Sequence, residues 1–315
     1  MKLSTKLLLG AMTAFMLNQN VLAKEVNVDI TVQELEIEID NKGTKQMMWT
    51  FGGTIPGPVV RVKQGDTVNF NLINLKSNKQ SHSMDFHAAQ VDVLDEFSEI
   101  KPGKSKNYTF KANYPGVFIY HCGASAMSEH IARGMYGVII VDPKDGYTED
   151  YPKPDREYVI VEGDLFEAGT KPNDITMGKG WKASLINGKV FHYDPVHDSD
   201  ASLTLESKPG ERVRIFFVNA NINESVAFHP IAGIWDRVYD NGNPKNIKYG
   251  MQTVDVAPAH GMVFDLISPK GKDTNNALVN HRMKRALNGA ITVLMNHEDY
   301  DGKKGQDGNL VLREE

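Results

Sequence analysis

The chain holds one cysteine, and the residues around it are the first that could do chemistry. In "VFIYHCGASAMSEHIARGMYGVIIV", residues 117–141, His121 precedes Cys122, His130 follows eight positions on, and Met135 five after that. Two imidazoles and a thiolate in a plane, with a weak axial thioether, are the donors of a blue-copper electron-transfer site. A lone cysteine is ordinarily a small buried hydrophobe. A His and a Met at these spacings, with a second His-bearing segment, argue for a ligand instead. Cys122, His130 and Met135 would supply three ligands from one loop. The fourth must come from a neighbouring strand, where "HSMDFH" offers His82 and His87.

Strand geometry sorts the remaining histidines. Neighbouring residues on a strand point to opposite faces. If Cys122 faces one metal, His121 faces away from it. His82 and His87 are an odd number of positions apart, so they too face opposite ways. One histidine of each segment then serves the sulfur site, and the other two, His87 and His121, start a second site. His281, which a repeat in the sequence places against His121, is the natural third ligand. Three neutral imidazoles leave an open coordination position, as catalytic rather than structural metals have.

The elements that must position these groups read as strands. "GDTVNFNLIN" alternates Val68, Phe70 and Leu72 with Asn69 and Asn71, and "GERVRIFFVN" repeats the pattern with Val213, Ile215 and Phe217. "NYTFKANYPG", "GVIIV" and "REYVIVEGD" read the same way. Such alternation between turn residues predicts strands with one buried face, and many short strands predict sandwiches or barrels. The two halves also match each other. "SMDFHAA" lines up with "SVAFHPI", "IYHCGA" with "VNHRMK", and "GMYGVIIV" with "ALNGAITV", placing His87 against His229 and Cys122 against Arg282. The chain thus reads as two copies of one β-domain, of which only the first keeps the thiol. The Pro-, Asp- and Lys-rich stretch 141–158 reads as the boundary. The predicted organisation is 1–23 signal peptide, 24–143 first domain, 144–157 linker and 158–315 second domain with tail.

The opening "MKLSTKLLLGAMTAFMLNQNVLAKEV" carries Lys2 and Lys6, an apolar run and a small residue before a cut after Ala23. That is the pattern of an exported chain, and it predicts a periplasmic protein with no membrane span once the peptide is removed. One cysteine cannot make an internal disulfide, so in an oxidising compartment it is a liability or a working group. The net charge of −5, from 35 basic and 40 acidic residues, gives no argument for nucleic acid or an anionic membrane as partner.

The motifs "HSMDFHAA", "YHC", "EHIARGMYG", "FHPIAG" and "VNHRMKRALNGAI" together resemble those of the copper-containing nitrite reductases, and the likeness covers nearly the whole mature chain. It implies an all-β chain of two tandem cupredoxin-like Greek-key β-sandwich domains, a homotrimer and two coppers per chain. By this resemblance His82, Cys122, His130 and Met135 match the type 1 copper ligands, and His87, His121 and His281 the type 2 ligands. Asp85 and His229 match the pair that positions nitrite and delivers protons, and Ile231 a hydrophobic residue that caps the substrate. The implied partners are nitrite and a small periplasmic electron donor, a cytochrome c or a blue-copper protein. The Cys122–His130 spacing looks like the shorter-loop branch, although "CGASAMSEH" lacks the prolines often found there. The implied reaction reduces nitrite to nitric oxide, one electron passing from the type 1 to the type 2 copper.

Two other readings use the same residues. A two-domain multicopper oxidase needs about eight further imidazoles, largely in His-x-His pairs. The chain has ten His and no His-x-His, and His192, His197, His260 and His297 read as loop or surface residues. A non-catalytic blue-copper carrier would leave His281 and the second domain unexplained.

Overall fold

The computed structural model describes residues 23–271 and 273–300. Residues 1–22, most of the expected signal peptide, and the tail 301–315 lie outside the described residues. The first half contains β1 (Glu25–Glu38), β2 (Lys45–Phe51), β3 (Val60–Lys63), β4 (Thr67–Asn74), β5 (Asp85–Phe86), α1 (Val93–Glu96), β6 (Ser105–Lys111), β7 (Gly116–His121), α2 (Met127–Ala132) and β8 (Tyr136–Asp142). The second contains β9 (Arg156–Phe166), α3 (Pro172–Thr176), β10 (Trp181–Ile186), β11 (Leu205–Ser207), β12 (Arg212–Ala220), β13 (Val226–Pro230), β14 (Trp235–Asp240), β15 (Ile247–Met251), β16 (Val254–Val256), β17 (Gly261–Ile267), β18 (Thr274–Asn280), α4 (Met283–Ala286) and β19 (Ile291–Asn296).

The fold is all-β, two cupredoxin-like sandwiches in tandem. In the first, the sheet β2-β1-β4-β6 packs on β3-β8-β7-β5. In the second, β10-β9-β12-β17-β14-β15 packs on β11-β19-β18-β13-β16. β4 behaves as its sequence predicts: Val68, Phe70 and Leu72 are buried in the first core while Asn69 and Asn71 are not. Each fully buried side chain of this size stabilises by about 1.5–3 kcal/mol.

β8, β9 and β12 depart from the expectation of one buried face. In β8, Ile139 and Val141 enter the first core, while Val138 and Ile140 join Val159, Val161, Phe216 and Val218 in a separate cluster between the sandwiches. Both faces of these strands are covered, so they read as continuous apolar runs rather than alternating ones. The segment between β8 and β9 is packed as well: Tyr151 is buried, with the Arg214 guanidinium 3.7 Å above its ring, and Arg214 pairs bidentately with buried Asp265.

The repeat seen in sequence is a repeat in register. β5 pairs antiparallel with β7, Phe86 opposite Tyr120, and β13 pairs antiparallel with β18, Phe228 opposite Asn280. Those are the residues the alignment of the two halves places in correspondence.

Candidate metal centres

β7 ends at His121, and the chain turns so that Cys122 enters the first core. The Cys122 N–H donates to the Met135 carbonyl (3.1 Å), and the Met135 N–H to the His130 carbonyl (3.1 Å), which ties the loop into a closed unit. His130 rides on α2. His82 comes from across the sheet, held by reciprocal main-chain bonds to Ile100 (3.1 and 2.7 Å). The three side chains converge: Cys122 Sγ lies 3.2 Å from His130 Nδ1 and 3.9 Å from His82 Nδ1, and the two Nδ1 atoms are 3.3 Å apart. Two imidazole nitrogens each about 2.0–2.1 Å from one first-row metal, at a tetrahedral angle, stand about 3.3 Å apart. Met135 is fully buried in the same apolar cluster as Cys122.

The electrostatics of this cluster suit a soft cation. Burial lowers His82 and His130 to about 4, the facing His82 ring adding to the effect at His130, so both imidazoles are neutral donors. Burial pushes the Cys122 thiol up to about 11, against the hydrogen bond from the Ser83 N–H at 3.4 Å. A metal must therefore displace the thiol proton, and its charge compensates the buried thiolate. A soft sulfur with two neutral imidazoles is a donor set for copper.

Two residues of this site had no mark in the sequence. Glu34 Oε1 stands 3.4 Å from His82 Nε2 and accepts the N–H groups of Lys79 (2.9 Å) and Gln80 (2.8 Å). A carboxylate only accepts from imidazole, so Nε2 carries the proton and Nδ1 keeps its lone pair for the cluster. Trp49 sets its ring edge-on to His130 (4.7 Å between centroids) and to His82 (5.8 Å), under the Arg133 guanidinium. Glu34 lies 48 positions from His82, and nothing in alternation or spacing links them.

The second cluster lies on the opposite side of the His121–Cys122 peptide. His121 Nδ1 faces the Cys122 carbonyl at 3.1 Å and must donate to it, which turns the Nε2 lone pair toward His87 Nε2, 3.2 Å away. Asp85 Oδ2 stands 3.5 Å from His121 Nε2 and 3.8 Å from His87 Nε2. Asp85 sits directly opposite His121 in the β5–β7 pairing. Partial burial, and next the facing His121, push His87 below the usual imidazole range, although a third of its side chain is open to solvent. Two imidazole nitrogens at this spacing fit one metal as the first cluster does.

His229 and His281 stand apart from that cluster. Their rings are 5.3 Å apart at 67°, close to the 5.2 Å and 61° of His87 and His121. His281 follows β18, its N–H donating to the Ala227 carbonyl (2.7 Å), and His229 Nδ1 donates to the Gln252 carbonyl (2.8 Å), leaving Nε2 outward. Among the described residues the ligating atoms that converge with His87 and His121 are those of Asp85, not of His281. His229 lines an open concavity of about 590 Å³ with Gly233, Ile234, Gln252, Leu266 and Asn276. Ile231 follows β13 and is half exposed.

Known copper proteins resemble this chain in sequence and in fold. Residues 31–146 match the multicopper oxidase family model. The chain is 34% identical over 275 residues to a copper-containing nitrite reductase of Neisseria gonorrhoeae, covering 84% of this chain and 66% of that one. It thus spans about two thirds of the length of such curated relatives. Among solved structures, a copper nitrite reductase from Nitrosomonas europaea is 52% identical, with a TM-score of 0.87, covering 92% of this chain and all of that chain. One from Thermus scotoductus is 28% identical, with a TM-score of 0.77, covering 88% of this chain and 63% of that one. Likeness at this identity and coverage, in a chain that brings Cys122 and two histidine clusters together, places the protein in the copper-containing nitrite reductase family.

Proposed function

We propose that the protein reduces nitrite to nitric oxide: one electron and two protons are consumed and water is released. The observation that carries this reading is the peptide bond shared by His121 and Cys122, which joins two differently built donor clusters through covalent bonds. His82, Cys122, His130 and Met135 would hold a type 1 copper, and His87 and His121, completed by His281, a type 2 copper. Copper supplies one-electron storage at the first cluster and a Lewis-acid position for nitrite at the second.

The chain's own groups then do the proton work. Asp85, a quarter exposed beside both imidazoles, is placed to hand a proton to a substrate oxygen at the second cluster. His229, its Nδ1 fixed by the Gln252 carbonyl, presents Nε2 as the second donor. Ile231 would cap the substrate.

The second site is completed between chains. Exposed Ile231, Ile234, Met283 and Leu287 follow the His229 and His281 segments, and exposed Val91, Val93 and Leu94 follow His87. Covering these faces head to tail, first domain on second, gives a closed ring that brings His229 and His281 to the neighbour's His87 and His121. We take this ring to be the homotrimer. The exported chain, 24–143 and 158–315 as domains about linker 144–157, would act in the periplasm, with a cytochrome c or small blue-copper protein as donor. No helix among the described residues is long and apolar enough to cross a membrane.

The test is anaerobic nitrite turnover with an artificial donor, nitric oxide detected directly and copper counted. Nitric oxide with about two coppers per chain supports the reading; about one copper without turnover fits a carrier, and about four an oxygen-reducing oxidase.

A further inference from the structure

We propose that Glu96 is a positioning residue for the second cluster: its carboxylate replaces a missing neighbouring strand at the free edge of β5, and so fixes Asp85 and His87. The proposal rests on the reading of that cluster given above. β5 is two residues long and is the outermost strand of its sheet. On its paired side Asp85 stands opposite His121, and the His87 N–H donates to the Ile119 carbonyl of β7 (3.2 Å). Successive N–H groups of a strand point to opposite edges. The Phe86 N–H, between Asp85 and His87, therefore points away from β7, where the sheet has no further strand.

Phe86 is only 2% exposed, so water does not meet that donor. Glu96 Oε1 meets it instead, at 2.7 Å. Glu96 is itself buried and ends α1. The Asp92 side chain caps that helix by accepting the Leu94 N–H (2.8 Å), and the Glu96 N–H donates to the Asp92 carbonyl (2.9 Å). Beyond the helix, Phe97 lies against Gly123, where a Cβ would stand 3.0 Å from the Phe97 ring. The carboxyl is thus held from a short capped helix whose following residue abuts the Cys122 loop.

A carboxylate is an expensive way to satisfy one N–H. Among the described residues no cation forms an ion pair with Glu96; Lys106 pairs with Asp95. Burial, and then the charges of Asp85 and Asp95, raise Glu96 to about 7 against the Phe86 N–H. The acceptor sits where its removal would release β5, which carries Asp85 and leads directly into His87, whereas His82 is held separately by its main-chain bonds to Ile100.

The test compares Glu96→Met, which keeps volume without an acceptor, Glu96→Asp, which withdraws the carboxylate, and Glu96→Gln, which keeps a carbonyl acceptor. The readouts are the visible thiolate–copper band, titration of the second copper into copper-depleted protein, and kcat and KM for nitrite. E96M should keep the band, bind the second copper at least about tenfold more weakly and lose about 10–100-fold in kcat, while E96Q stays within about threefold of wild type. E96D should fall between them, and serves in place of E96M if that variant does not fold. Wild-type kcat and second-copper affinity in E96M, equal damage to both copper sites, or E96Q as impaired as E96M would each overturn the proposal. Wild type assayed alongside separates the two ideas: an inactive wild type removes the functional reading, and an active wild type with an unaffected E96M removes only the role of Glu96.

Discussion

The two domains present nearly the same histidine pair on the same strands, in the same register, yet only the first builds a sulfur cluster beside it. His87 and His121 match His229 and His281 in ring distance and angle. Behind the pair the chemistry diverges. Arg282 takes the place of Cys122 and reaches Asp255 at the surface (3.5 Å). Glu224, aligned with His82, pairs with Arg285, which also pairs with buried Asp164. The loop is cut short too: α4 begins directly after Arg282, whereas four residues separate Cys122 from Met127, where α2 begins. The lesson is that the strand pair is a general device for placing two imidazoles. What lies behind it differs: a buried thiol with two imidazoles in the first domain, ion pairs of Arg282 and Arg285 in the second.

Removing the thiol should make the first domain resemble the second. Cys122→Ala is expected to abolish the visible thiolate–copper band and all donor-driven nitrite turnover, while the second copper still loads. Survival of the band would remove Cys122 from the cluster. The carboxylate is the next difference, since Ala227 occupies the place of Asp85 in the repeat. Asp85→Asn should keep both coppers and slow turnover by about 10²–10⁴-fold, the usual worth of a general acid, because an amide cannot cycle a proton. Near wild-type turnover across pH would exclude that role.

Acid should act on the buried imidazoles of the copper-free protein without mutation. In the unfolded chain His82 and His130 take up protons near their ordinary pKa, about 6.5, whereas folded they resist until about 4. The unfolded state then binds more protons between those limits, so stability falls as pH falls through that window. Copper-free protein should lose up to about 3 kcal/mol per buried histidine between pH 7 and pH 4. Glu96 and Glu162, whose carboxyls burial raises to about 7, act in the opposite sense over this range. Urea unfolding of wild type and His130→Gln side by side at several pH values therefore measures the histidine contribution, and a stability difference between them unchanged down to pH 4.5 would contradict it. His87 acts in the same direction.

The smallest expected signal asks whether the two histidine pairs meet across chains. Cys122→Ala/His87→Ala and His281→Ala are each expected to be inactive. Mixed under conditions that exchange subunits, some interfaces would join an intact first-domain half to an intact second-domain half, restoring part of the activity. No recovery despite demonstrated exchange would mean that each chain builds its own second site.

By itself the sequence determined the repeat, the β class and which of the first domain's histidines gather with Cys122 and which gather apart from it. Those follow from local rules: the period-two pattern of β4, and the parity that sends Cys122 and His121 to opposite sides of one backbone. Parity also separated His82 from His87, although only Asp85–Phe86 of that segment is strand and His82 is held by a lone bridge to Ile100. Tertiary structure alone decided the rest. β8, β9 and β12 are buried on both faces because a second sandwich covers the outer one, which alternation within one strand cannot show. Glu34, Trp49 and Glu96 enter through contacts between segments remote in the chain, each meeting a single ring or N–H, and such contacts leave no period in the sequence. The separation of His281 from His87 and His121 is of the same kind. Residue types name candidate donors, but which surfaces face one another is fixed only when the apolar faces are packed.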